Sequence, residues 1–129
     1  MDRHCQNAET IVDLLATHPR VERVYYPGLA NHPGHEVASR QMSGFGGMVS
    51  FSLQGGREAA EKVAVSTVVF TLAESLGAVE SLIEHPGVMT HASAAGSELE
   101  VPADLVRLSV GIESAQDLVD DLGQALEQL

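Results

Sequence analysis

The chain has 129 residues, 44% of them hydrophobic and 19% charged, which suits one domain with a packed core and argues against disorder. Eighteen acids against 7 Lys and Arg leave a net charge of −11, which repels phosphate backbones and anionic lipid surfaces and argues against nucleic-acid and membrane partners. No run approaches about 18 consecutive apolar residues, no apolar stretch follows a basic start, and the single cysteine, Cys5, excludes an intrachain disulfide and a Cys-rich metal site, so a reducing cytoplasm is expected.

Met1 to Thr17 reads as a helix, because Cys5, Ala8, Ile11, Val12 and Leu15 recur at helical spacing. His18-Pro19 ends it, since the residue before proline avoids the α region. Val21 to Tyr26 is a β-branched and aromatic strand, closed by Pro27-Gly28. A loop through His32-Pro33-Gly34-His35 leads into a short helix from Glu36 to about Met42. Gly47 to Leu53 alternates, with Val49, Phe51 and Leu53 on one face and Met48, Ser50 and Ser52 on the other. Arg57 to Val65 is a helix with Ala59, Ala60, Val63 and Ala64 inward, and Ser66 to Leu72 is a third strand. Val79 to Glu84 is expected as one or two helical turns, stopped at His85-Pro86-Gly87. Thr90 to Asp104 is an exposed loop. Leu105 to Val110 alternates again, and Gly111 ends that strand. Ser114 followed by Asp117 is a variant N-cap signature for a final amphipathic helix carrying Leu118, Leu122, Ala125, Leu126 and Leu129.

This order predicts a two-layer α+β domain, with about four mainly antiparallel strands and helices on one face. One helix layer covers one sheet face. The other face carries Met48, Ser50, Ser52, Arg107 and Ser109, and is either solvated or covered by a partner.

Arg107 stands in a strand interior, where its planar fork of donors matches a carboxylate bidentately. The competing reading is an ordinary strand arginine paired with a surface acid. Glu74-Ser75-Leu76-Gly77 places an acid and a hydroxyl just past the end of an apolar strand, where binding groups collect; Ser and Gly are equally plain turn residues. The histidine spacings, His32 with His35 and His85 with His91, match no metal-ligand pattern, and no metal site is expected. Gly44-Phe45-Gly46-Gly47 lacks the Lys-Ser/Thr of a phosphate loop. Lys62, the only lysine, lies on a solvated helix face between acids.

Longer stretches carry a resemblance. Thr71-Leu72-Ala73-Glu74-Ser75-Leu76-Gly77-Ala78-Val79-Glu80-Ser81-Leu82, then His85-Pro86 and Met89-Thr90-His91-Ala92, resemble the trans-sulfuration family of pyridoxal-phosphate (PLP) enzymes. Leu105-Val106-Arg107-Leu108-Ser109-Val110-Gly111-Ile112-Glu113 is similar to that family's strand with its carboxylate-binding arginine. Tyr26-Pro27-Gly28-Leu29, His32-Pro33 and the stretch from Gln41-Met42 to Gly46-Gly47-Met48 also match. The departure is Ala78, where many members carry a second glycine.

The resemblance covers residues 1–129 and implies the small C-terminal domain of the aspartate-aminotransferase fold. It implies a large N-terminal domain outside this chain that holds PLP and the Schiff-base lysine, so the chain alone is expected to bind no cofactor and to be inactive. It implies that Arg107 binds the substrate α-carboxylate, that Ser75 assists there, and that Thr90 lies beside the catalytic lysine's neighbourhood. Glu74 occupies the position that varies with substrate, and Glu there looks like cystathionine γ-synthase and γ-lyase. An amino-acid substrate, γ-replacement or γ-elimination and a homotetramer are the further implications. The alternative is a free-standing α+β module that binds a small ligand or dimerises.

Overall fold

The apolar stripe Ala8, Ile11, Val12 and Leu15 is buried along α1 (Asp2–Thr17), in a computed structural model that describes residues 1–90, 96–98 and 100–129. His18 ends the helix in extended conformation, as the following proline demands. β1 (Val21–Tyr25), α2 (His35–Gln41), β2 (Met48–Leu53) and α3 (Gly56–Ser66) follow near their predicted bounds. After β3 (Thr71–Leu72) come β4 (Leu82–Glu84), α4 (Pro86–Met89), β5 (Leu105–Ser109) and α5 (Ala115–Glu127).

The α+β class stands, but the sheet has five strands, in the order β1-β2-β5-β4-β3. The pairs β1/β2, β2/β5 and β4/β5 are antiparallel, and β3/β4 at the edge is parallel. The fifth strand is β4, where helical turns were expected. Leu82, Ile83 and Glu84 are all buried and pair with Ser109, Leu108 and Arg107 of β5. Three residues are too short a run for periodicity to separate strand from helix.

The predicted strand Ser66 to Leu72 shrinks to Thr71–Leu72, because α3 runs on to Ser66. Val68, Val69 and Phe70 instead donate their backbone N–H groups to the Asp121 carboxylate of α5, at 2.7–2.9 Å. Ser114 stands at the N-cap of α5, but its hydroxyl does not close the cap. Proline at the first position of α4 starts that short helix, its missing N–H being one a helix start leaves unbonded anyway. Of the expected Thr90–Asp104 loop, residues 91–95 and 99 lie outside the described residues.

The two sheet faces divide as the alternation predicts. Val49, Phe51, Val106, Leu108 and Ile83 are buried in one core with the inner faces of α1, α3 and α5. Burying each large apolar side chain there contributes about 1.5–3 kcal/mol. The other face carries the row Ser50, Arg107 and Glu84, in register across β2, β5 and β4, flanked by Met48, Ser109 and Leu82. Among the described residues no helix is long and apolar enough to cross a membrane.

Candidate functional site

Arg107 is the centre of the polar sheet face. Its Nη1 lies 3.0 Å from Glu84 Oε1, and its side chain is 19% exposed against 1% for Glu84. Nη2 donates to the carbonyl oxygens of Glu74 and Ser75, both at 3.1 Å. Nε is buried and has no hydrogen-bond partner among the described residues. The guanidinium thus sits between a buried acid on one side and an exposed turn on the other.

That turn, residues 73–80, joins β3 to β4 and is held from below. Ser109 Oγ accepts the Gly77 N–H at 2.8 Å. Ser81 donates its backbone N–H and its hydroxyl to the Glu113 carboxylate, at 2.6 and 2.9 Å. The Ser81 hydroxyl oxygen in turn accepts the Gly111 N–H at 2.8 Å. Asn7 of α1 donates to the carbonyls of Gly111 and Glu113 at 3.0 Å, tying this corner to the helix layer.

The four residues singled out from sequence meet here. Glu74 and Ser75 present main-chain carbonyls to Arg107, while both residues are exposed. Thr90 reaches the cluster through Glu84, its hydroxyl donating to Glu84 Oε1 at 3.2 Å. Glu84 is the residue that sequence reasoning missed. Glu84 follows the apolar pair Leu82-Ile83, and only the pairing of β4 with β5 buries it, where it needs a charged partner, since acids are almost never fully buried unpaired.

The histidines are taken up by the backbone. His35 Nδ1 lies 2.8 Å from the Pro27 carbonyl, with the ring stacked on Phe45. His32 Nδ1 accepts the Gly34 N–H at 3.1 Å, and His85 Nε2 lies 2.6 Å from the Ala103 carbonyl. His91 lies outside the described residues. No group of three His, Cys, Asp or Glu is placed to hold a metal among the described residues.

Residues 1–127 match the family model described as Cys/Met metabolism PLP-dependent enzyme. The chain belongs to this family. It is 64% identical over 126 residues to the cystathionine gamma-synthase of Mycobacterium tuberculosis, covering 98% of this chain and 32% of that protein. It is 52% identical over 132 residues to the L-methionine gamma-lyase of Fusobacterium nucleatum, covering 100% of this chain and 33% of that protein. The crystal structure of metB from Corynebacterium glutamicum superposes with a TM-score of 0.97 at 62% identity, over 99% of this chain and 33% of that one. The chain therefore spans about a third of the length of the curated relatives it matches.

PLP enzymes of this kind anchor the cofactor through a lysine. The chain's one lysine, Lys62, lies in α3 on the helix layer and donates to the Gln128 carbonyl, across the sheet from Arg107. The described residues of the Arg107 face include no lysine.

Proposed function

We propose that this chain is the small C-terminal domain of a PLP-dependent enzyme of sulfur amino-acid metabolism, of cystathionine γ-synthase or γ-lyase type. In this reading residues 1–129 close over the substrate, and the cofactor belongs to a large domain outside the chain. The observation that carries it is the Arg107 guanidinium, standing on the half-polar sheet face with Nη2 engaged, among the described residues, by turn carbonyls. Carbonyls are weaker acceptors than a carboxylate, which takes two parallel, charge-assisted bonds from a guanidinium. A substrate α-carboxylate therefore competes well for that edge.

Held there, the carboxylate fixes the direction of the substrate's Cα–H bond, a contribution of orientation and not of proton transfer. Ser75 lines the same position through its backbone. Thr90 acts through Glu84. Glu74, an exposed residue whose carbonyl meets the guanidinium, suits the amino group of a second substrate arm. That favours cystathionine chemistry over small thiols. The full-length enzyme is read as a cytoplasmic homo-oligomer, a tetramer as in the family the sequence resembles.

The test uses the full-length protein that carries this chain. It is assayed for γ-replacement with an O-acylated amino acid and cysteine, and for γ-elimination with cystathionine. PLP-dependent turnover in at least one assay is expected. Turnover in neither would contradict the reading.

A further inference from the structure

We propose that Glu84 is the positioning residue for Arg107, its buried carboxylate holding the guanidinium in the plane that receives a substrate carboxylate. The inference rests on the reading of Arg107 as the carboxylate clamp, and adds the group that aims it.

The pairing follows from strand register. Glu84 lies directly opposite Arg107 in the β4/β5 ladder, on the face away from the helices. Side chains so placed are cross-strand neighbours. Glu84 is 1% exposed, and among the described residues Arg107 is its only ion-pair partner. Both backbones belong to the sheet, which fixes the separation across which the two side chains meet. Ile83, the neighbour of Glu84, is fully buried in the core and fixes β4 in place.

The two sets of contacts on Arg107 differ in kind. Nη1 is held by a side chain on a core-packed strand, and Nη2 by carbonyls of an exposed turn. An incoming carboxylate can replace the turn carbonyls without disturbing Glu84. It cannot replace Glu84 without leaving a buried charge unpaired, which is strongly unfavourable. The substrate therefore takes the Nη2–Nε edge, where Nε has no hydrogen-bond partner among the described residues, while Glu84 keeps Nη1, and the plane of the fork is set before substrate arrives.

A purely structural role, neutralising a buried arginine, would depend on the charge of Glu84. A positioning role depends on where its acceptor oxygen sits. Glu84→Asp keeps the charge and draws the carboxylate back by one methylene. Glu84→Gln removes the charge and keeps an acceptor at the Oε1 position. Its amide nitrogen would take the place of Oε2, which has no hydrogen-bond partner among the described residues.

Both variants and Arg107→Lys are compared in the full-length enzyme by steady-state kinetics on one amino-acid substrate. Glu84→Asp is expected to raise KM tenfold or more, with kcat falling by a smaller factor. Glu84→Gln is expected to raise KM by less than a third of that factor. A KM for Glu84→Asp within twofold of the parent would overturn the proposal, as would a Glu84→Gln effect equal to or larger than that of Glu84→Asp. Arg107→Lys separates the two claims. If it keeps the parent kcat/KM, the clamp itself fails; if it loses activity while Glu84→Asp keeps the parent KM, only the positioning role fails.

Discussion

Ser109 Oγ accepts the backbone N–H of Gly77 at 2.8 Å, two residues along β5 from Arg107 and on the same sheet face. The turn that covers Arg107 is thereby pinned at its far end, where Gly77 adopts a left-handed φ of +76°. Ser109→Ala removes the acceptor. A neutral hydrogen bond contributes about 1 kcal/mol. The Gly77 amide should therefore exchange with solvent about fivefold faster, with global stability changed little. An unchanged Gly77 exchange rate would show that this bond does not hold the turn.

Asp121 is the buried acid that organises the approach to β3. It is 6% exposed and takes three backbone N–H groups, from Val68, Val69 and Phe70. Asp121→Ala leaves those donors without their acceptor. Hydrogen bonds to charged groups are worth about 1.5–3 kcal/mol each, and the three are not additive. A loss of roughly 3 kcal/mol is expected in denaturant unfolding. Asp121→Asn, which keeps an acceptor oxygen, should lose less. Equal losses for the two would argue that the three bonds contribute nothing specific.

Gly111 is required by close approach and not by backbone conformation. A Cβ there would press on the Val79 carbonyl oxygen and lie 2.5 Å from Glu113 Oε2. Gly111→Ala must therefore push the 79–81 segment away and break the Ser81–Glu113 bonds. Thermal unfolding should show a loss of about 3 kcal/mol or more, in the range of severe overpacking. A melting temperature near the parent's would contradict this packing.

Tyr26 links stability to alkaline pH. Burial, helped by the Glu9 carboxylate and Cys5, pushes its phenol up to about 12 from an ordinary 10. Its hydroxyl donates to the Gly46 carbonyl at 3.0 Å. The folded state holds the proton where the unfolded state has released it. The contribution is therefore fully present below about pH 10 and is lost as pH rises through about 12. Denaturant unfolding between pH 9 and pH 12 should show that decline, and Tyr26→Phe should flatten it. A decline of the same size in Tyr26→Phe would place its origin elsewhere.

Where hydrophobic periodicity ran for several turns or pleats, the sequence was legible. α1, β2, α3, β5 and α5 stand near their predicted bounds because each carries its own stripe, as in Ala8-Ile11-Val12-Leu15 or Val49-Phe51-Leu53. The segment from Ser66 to Met89 was not legible. Its conformation is set by distant partners: Asp121 captures residues 68–70, Ser109 captures Gly77, and β5 recruits Leu82–Glu84 as a strand. None of those partners is a neighbour in sequence. The same reason hid Glu84, whose role is visible only once β4 lies beside β5. Arg107 could be placed on the polar face by alternation alone, whereas the part played by the Glu74 and Ser75 carbonyls needed the turn's path.

The central claim is that Arg107 clamps the substrate's α-carboxylate. It is tested most directly by kcat/KM of Arg107→Lys in the full-length enzyme, measured on several amino-acid substrates. Lysine keeps the charge but loses the planar fork, and one ammonium cannot serve Glu84 and a carboxylate with two parallel bonds. A lost charge-assisted bond is worth about 1.5–3 kcal/mol, or roughly 10- to 150-fold in rate. The account predicts a fall of about that size or more, equal across substrates because all share the carboxylate, with the fold intact by circular dichroism. Wild-type kcat/KM in Arg107→Lys, or a loss confined to one substrate, would contradict it.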